Sequence, residues 1–436
     1  MRSIRSRPAP AAPILSAPAD ASTPVKTFTF VNQSCHRRQE EIAMVRRFLL
    51  LNGLAEDSDL TRADLVILFT CAFCQSKIAD MLNEIARIRS VIREGCELVV
   101  GSCLPKTDGA GLRKVFSGKT ITPTDFSALN RLPGITSGIE EMPEAIGRQA
   151  ACEPLVIQPP SNTARARLKA LALGATRSLM RTWPALPLER VATRLETDRR
   201  MGVFISSGCM RKCSYCAIRF ATGQLRSKPL DVVTRAFSEG LDRGYRKFEL
   251  YADSIGDYGL DIGTDLGELF DWFSKSHRVF SVGIYDLHPQ AFLKFFGKLF
   301  SLCRAGRIHY LYVPLQSGNA RILKLMNRSC DVNALLRKLL EVRKHRGVFL
   351  QTSVIVGFPT ETDAEFEETL AFLRAVRFSN VFVHFYSDMP NTESSKLADK
   401  IDRATMLLRL KRLGRAGINY DPDMARHEWE ATPALG

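Results

Sequence analysis

The chain has no apolar run long enough to cross a bilayer. Stretches such as residues 65–68 have the length of a buried strand, against the roughly 20 residues that a spanning helix needs. Nothing near the start resembles a secretory signal. Histidine is scarce, with seven in 436 residues. No motif interleaves aromatic and basic residues in the way that stacks nucleobases. Acid is in deficit, 46 Asp and Glu against 61 Lys and Arg, and the net charge of +15 favours an anionic partner, most often nucleic acid. Even pairing of cysteines is missing as well, since there are eleven. A chain this long needs no disulfide staples, so clustered thiols read as metal ligands in a reducing, cytoplasmic compartment.

The length suggests two or three domains. Residues 1–26 are rich in Arg, Pro, Ala and Ser with no acid before Asp20, which reads as a disordered basic tail, with an organelle transit peptide as the alternative. Residues 27–120 alternate strands (28–31, 63–70, 97–101) with helices (40–54, 76–93), the rhythm of a parallel sheet covered by helices. Cys35, Cys71 and Cys103 fall at or beside the ends of those strands, where the ligand site of such a sheet lies. Residues 121–200 read as a basic linker or insert. Its second half, 163–200, has nine Lys and Arg against three Asp and Glu, and 164–181 is expected to be a basic helix, either a solvated linker face or a phosphate-binding surface. From 201 to 415 six candidate strands (203–207, 248–252, 280–285, 309–314, 349–356, 380–386) alternate with helices (230–243, 289–303, 319–326, 332–346, 363–376), which predicts an open barrel of six βα units. A basic helix is expected at 396–415 and a loose tail at 416–436.

The chemistry is concentrated in Gly208-Cys209-Met210-Arg211-Lys212-Cys213-Ser214-Tyr215-Cys216, just after the first barrel strand. The spacing Cys-x3-Cys-x2-Cys lets three thiolates in one loop hold three irons of a cubane cluster and leaves the fourth iron open. An open iron there would chelate the amino and carboxylate groups of S-adenosylmethionine, and one electron would split the sulfonium to give a 5′-deoxyadenosyl radical. The competing reading is a structural zinc site, but zinc takes four ligands and no fourth Cys or His lies near Cys216. Tyr215, an aromatic just before the third cysteine, also suits the radical chemistry.

Residues 209–229, CMRKCSYCAIRFATGQLRSKP, resemble the radical S-adenosylmethionine (SAM) methylthiotransferases, which place a methylthio group on tRNA adenosines or on a ribosomal protein. Residues 250–266, LYADSIGDYGLDIGTDL, are similar to the archaeal and eukaryotic branch that acts on threonylcarbamoyladenosine in tRNA. Further family blocks are 314–328 (PLQSGNARILKLMNR), 356–362 (VGFPTET) and 385–392 (FYSDMPNT). The resemblance covers roughly 28–118 and 201–415. It implies an α/β chain in which an N-terminal parallel-sheet domain precedes a partial (β/α)6 radical SAM barrel. It also implies SAM and two 4Fe-4S clusters, one held by Cys209, Cys213 and Cys216 and the other, associated with the sulfur to be inserted, by Cys35, Cys71 and Cys103. Asp253, at the end of the second barrel strand, would lie near the SAM amine, and Gln316 would be a polar contact in the pocket. A flavodoxin- or ferredoxin-like electron donor and a sulfur source are implied as partners, and no membrane. Cys74, Cys96, Cys152, Cys303 and Cys330 are read as structural.

Several positions depart from the family pattern. Ser34 and Arg38 stand where Gly and Asn are usual around the first cysteine, and Phe69 replaces an Asn. Ser281 replaces an Arg, Ser353 an Asp, Met389 an Arg and Asn391 a Gly. About twenty residues follow Arg415, too few for the β-barrel RNA-binding domain that the tRNA-modifying members carry there. Three functions therefore stand: methylthiolation of a tRNA adenosine, the same C–H to C–SCH3 conversion on a peptide or protein side chain, and a cluster-bearing RNA-binding or regulatory protein without turnover.

Overall fold

The computed structural model describes residues 26–141, 155–157, 200–345, 347–422 and 425. The tail at 1–25, the expected basic helix at 164–181, Cys152 and most of 416–436 beyond residue 422 lie outside the described residues.

Four parallel strands open the chain: β1 (Thr27–Asn32), β2 (Ala55–Glu56), β3 (Leu65–Thr70) and β4 (Glu97–Ser102), in the order β2-β1-β3-β4. Every side chain of β3 is buried, as befits a parallel strand covered on both faces. The period of two divides it: Leu65, Ile67 and Phe69 pack with Val45 and Phe48 of helix Gln39–Leu51. Val66 and Leu68 pack with Ile78, Met81 and Ile85 of helix Gln75–Val91. Ile121, Leu129, Leu132 and Ile139 join the first of these cores, so the chain from 121 to 139 packs against this sheet.

The second sheet has seven strands. They are β5 (Leu155–Ile157), β6 (Arg200–Phe204), β9 (Lys247–Tyr251), β10 (Ser281–Ile284), β11 (Ile308–Tyr312), β12 (Phe349–Val356) and β13 (Asn380–Phe385); a small ribbon, β7 (Ser206–Ser207) with β8 (Arg226–Ser227), lies between β6 and β9 in sequence. The order is β13-β12-β11-β10-β9-β6-β5. The six strands anticipated from the sequence are all parallel and form the open half-barrel, while β5 adds an antiparallel strand on the β6 edge.

Two helices differ from expectation. The segment 289–303 is two helices, Pro289–Lys294 and Phe296–Arg304, which meet at Phe295. The last helix begins at Arg403, not at 396, because the Asp402 side chain caps it by accepting from the Thr405 N–H. Upstream, Lys400 is drawn into contacts with the Asp388 carboxylate and the Ser394 carbonyl.

The two sheets are joined by one apolar cluster, in which Ala217, Ala221 and Met389 of the barrel pack with Ala72, Ile78, Cys103 and Leu104. Polar ties surround it. The Gln75 N–H donates to Ser387 Oγ at 2.8 Å, and Lys228, Arg37 and Arg38 pair with Glu40, Asp286 and Asp253 across the junction.

Candidate active site

Parallel strands end on one edge of their sheet, and the first three candidate cysteines sit there. Cys35 caps the short turn His36–Arg38 after β1, Cys71 follows β3 directly, and Cys103 follows β4 directly. In the barrel, the loop 209–216 leaves the β6 and β7 end at Gly208. Its φ of 78° lies in the left-handed region, and a Cβ there would collide with the Gln224 carbonyl, so glycine is required. The two strand edges face each other across a cavity of about 490 Å³. Its wall contains Cys35, Cys71 and Cys103 from one side and Cys209, Cys213 and Cys216 from the other. Tyr215, Asp253 and Gln316 line it too, so the structure brings all nine sequence-derived candidates together.

The 209–216 loop is fastened at several points. Arg211 pairs with Asp257 at 2.6 Å and donates to Gln290 Oε1 at 2.6 Å. Asn327 donates to the Lys212 carbonyl at 2.8 Å, and the Ser214 N–H donates to the Met326 carbonyl at 3.0 Å. Arg328 reaches the cluster loop itself, with Nη1 directed to Cys213 Sγ at 3.6 Å and Nη2 to the Pro314 carbonyl at 2.8 Å. The block 314–328 therefore folds back over the cysteines. Gln316, with φ of 69°, is tied to β12 through its backbone: its N–H donates to the Ser353 carbonyl at 2.8 Å and its carbonyl accepts from Ile355 at 3.0 Å.

Asp253 is engaged on both oxygens, by Arg38 and by the Gly208 N–H at 2.9 Å. Arg38 also pairs with Glu41 at 2.5 Å. The barrel side of the cavity is aromatic. His36 lies 4.7 Å from the Tyr251 ring, Tyr285 lies 4.5 Å from Tyr310, and Tyr312 meets Phe382 edge-on at 5.8 Å. Beneath them the fully buried Glu249 holds Arg200 at 2.7 Å and His309 at 3.2 Å, and His309 contacts Ser281 Oγ at 3.0 Å.

These residues fit iron–sulfur ligation. Among the described residues no three or more His, Cys, Asp or Glu gather closely enough around one point to hold a single ion. Burial pushes the Cys71 thiol up to about 11 and Cys209 up to about 12, and raises Cys103 and Cys216 as well, so metal binding here must displace protons. The guanidinium of Arg328 on the cavity wall complements an anionic thiolate-bound cluster, and the backbone N–H of Arg211 points to Cys209 Sγ at 3.4 Å.

The sequence reading did not single out Arg37, Asp286, His288, Tyr312 or Arg328, which also line the cavity, nor Cys74, the seventh cysteine of its wall. For Arg328 the signal was its place at the end of the 314–328 block; the others carry none that spacing would expose.

The departures from the family pattern serve packing and pairing. Phe69 is buried edge-on against Phe30 at 5.3 Å, Arg38 meets Asp253, Met389 closes the interdomain core, and Ser281 meets His309.

The Radical SAM superfamily model matches residues 203–373, and that of Uncharacterized protein family UPF0004 matches residues 27–122. The chain is 33% identical over 222 residues to the threonylcarbamoyladenosine tRNA methylthiotransferase MtaB of Thermotoga maritima, covering 49% of this chain and 50% of that protein. It thus spans about half the length of that relative. It is 24% identical over 413 residues to the tRNA-2-methylthio-N(6)-dimethylallyladenosine synthase of Staphylococcus haemolyticus, covering 93% and 74%. With the ribosomal-protein methylthiotransferase RimO of Chlamydia pneumoniae it shares 26% over 394 residues, covering 88% and 76%. In fold it is similar to the radical S-adenosylmethionine methyltransferase TsrM of Kitasatospora setae, with a TM-score of 0.54 at 12% identity over 85% of this chain and 77% of that one.

Proposed function

We propose that this chain, which matches the Radical SAM and UPF0004 models and is similar to tRNA and ribosomal-protein methylthiotransferases, is a radical SAM methylthiotransferase that converts an unactivated C–H of a tRNA adenosine into C–SCH3. The observation that carries the reading is the single cavity whose wall contains both cysteine triads, one from each sheet. Inserting sulfur at an unactivated carbon needs a hydrogen-atom abstractor and a sulfur donor held close together, and that wall supplies ligands for both. The cofactors are two 4Fe-4S clusters and SAM; when bound, they supply the electron that cleaves the sulfonium and the sulfur that is inserted.

The chain's own residues bind and orient. Cys209, Cys213 and Cys216 would hold one cluster and Cys35, Cys71 and Cys103 the other. Asp253, fixed by Arg38 and the Gly208 N–H, would lie near the SAM amine. Gln316 presents a side-chain amide at the wall, and Tyr215, Tyr285 and Tyr312 line it beside the cysteines. The net charge of +15 supports an RNA substrate, as do the tRNA-modifying relatives. The RimO relative favours a second reading, the same conversion on a peptide or protein side chain. A low-potential flavodoxin- or ferredoxin-like donor, a sulfur source and the cytoplasm complete the proposal.

The test is anaerobic iron and sulfide content after reconstitution, in wild type and in the Cys209/Cys213/Cys216 triple Ala variant. About eight irons falling to about four supports two clusters. About four falling to none leaves a radical enzyme without the sulfur-donating cluster. Mass analysis of nucleosides from treated tRNA, beside treated peptide, then separates the two substrates.

A further inference from the structure

Five arginines line the cavity, and four of them have a partner that suits a cation. Arg37, Arg38 and Arg211 face Asp286, Asp253 and Asp257, and Arg219 lies on the Phe220 ring at 4.7 Å. Arg328 has neither a carboxylate nor a ring partner among the described residues, yet it is only 6% exposed. Its Nη2 donates to the Pro314 carbonyl, its Nη1 reaches Cys213 Sγ at 3.6 Å, and its buried Nε has no hydrogen-bond partner. A guanidinium buried without an anion is costly, so its position calls for a negative group in the cavity.

We propose that Arg328 is the positioning residue that sets the reduction potential of the cluster bound by Cys209, Cys213 and Cys216, an inference that rests on the functional reading above. Reduction adds one negative charge to a cluster already bound by thiolates. A fixed guanidinium donating to a ligand sulfur stabilises the reduced form more than the oxidised one and so raises the potential. Hydrogen bonds to ligand sulfurs, net charge and solvent exposure are the protein's means of setting it, and Arg328 supplies the first two while being buried. The neighbouring His288 adds no competing charge at neutral pH, since burial, Arg328 and Arg211 push its pKa down to about 2.

The experiment is an EPR-monitored redox titration of the full chain carrying Cys35→Ala, Cys71→Ala and Cys103→Ala, so that only the loop cluster reports. Arg328→Met in that background should keep the iron content of the parent and lower the reduction equilibrium by at least about tenfold, equivalent to 59 mV for a one-electron couple. Arg328→Lys, which keeps the charge, should recover part of the shift, a rescue that a purely structural role would not give. An unchanged potential in Arg328→Met overturns the inference. Should Arg328→Met lose its iron, Arg328→Lys and Arg328→Gln are titrated instead, a lower potential in the Gln variant supporting the inference and equal potentials overturning it. A parent that holds no cluster removable by Cys213→Ala overturns the functional reading, and this inference with it.

Discussion

Arg38, three residues after Cys35, donates to the carboxylate of Asp253, whose other oxygen accepts the N–H of Gly208, the residue before Cys209, at 2.9 Å. One carboxylate thereby ties the turn that carries a cysteine of the first triad to the loop that carries the second. Both side chains of the ion pair are 3% exposed. Breaking a buried pair from one side leaves the other charge stranded, so Arg38→Ala should destabilise the protein by about 3–5 kcal/mol. The exposed helix pair Arg87–Glu84, at 2.7 Å, is the control: Arg87→Ala should cost less than about 1 kcal/mol. Denaturant unfolding midpoints of the two variants check both values.

The two triads should fail differently. Cys213→Ala is expected to abolish SAM cleavage, whereas Cys71→Ala should still form 5′-deoxyadenosine from SAM and lose sulfur insertion. Product analysis by mass spectrometry decides. Sulfur insertion retained in Cys71→Ala would sink the two-cluster assignment.

His288 makes stability depend on pH. It is 4% exposed, its Nδ1 accepts the Gln290 N–H at 3.2 Å, and burial together with Arg328 and Arg211 pushes its pKa down to about 2. The folded value lies below the unfolded one of about 6.5, so below that pH the unfolded chain binds a proton that the fold refuses. The contribution is fully present above about pH 6.5 and falls by about 1.4 kcal/mol for each unit of acidification below it. The difference in unfolding free energy between wild type and His288→Gln should therefore shrink between pH 7.5 and pH 5.5; a difference constant with pH would refute it.

If tRNA is the substrate, phosphate contacts dominate its affinity. Binding should weaken by orders of magnitude between about 50 and 200 mM salt. Filter binding across that range checks the slope. A flat response to tRNA beside tight binding to a peptide would favour the side-chain reading. Replacing Arg165, Arg167, Arg177 and Arg181 with Ala should reduce the slope if residues 164–181 supply those contacts.

Much of the architecture was legible because period and spacing are local. The continuous apolar run of β3 and the rhythm of six βα units follow from burial on both faces of a parallel sheet. Helix ends were less legible. The start at Arg403 depends on Asp402 turning its carboxylate to the Thr405 N–H and on Lys400 being held by Asp388 and the Ser394 carbonyl, and the second of these is a tertiary contact.

The same division holds at the site. By itself, the sequence determined the Cys-x3-Cys-x2-Cys loop, the glycine before it and the three cysteines at strand ends, since each of these is set within a few residues of chain. Only the tertiary structure decided that the two triads face one cavity, that Arg38 meets Asp253 across 215 residues, and that Arg328 reaches Cys213 across 115. The first two are set by how the two sheets dock through the shared core around Met389 and the third by how the 314–328 block folds back within the barrel, and no periodicity along the chain encodes a contact between elements so far apart.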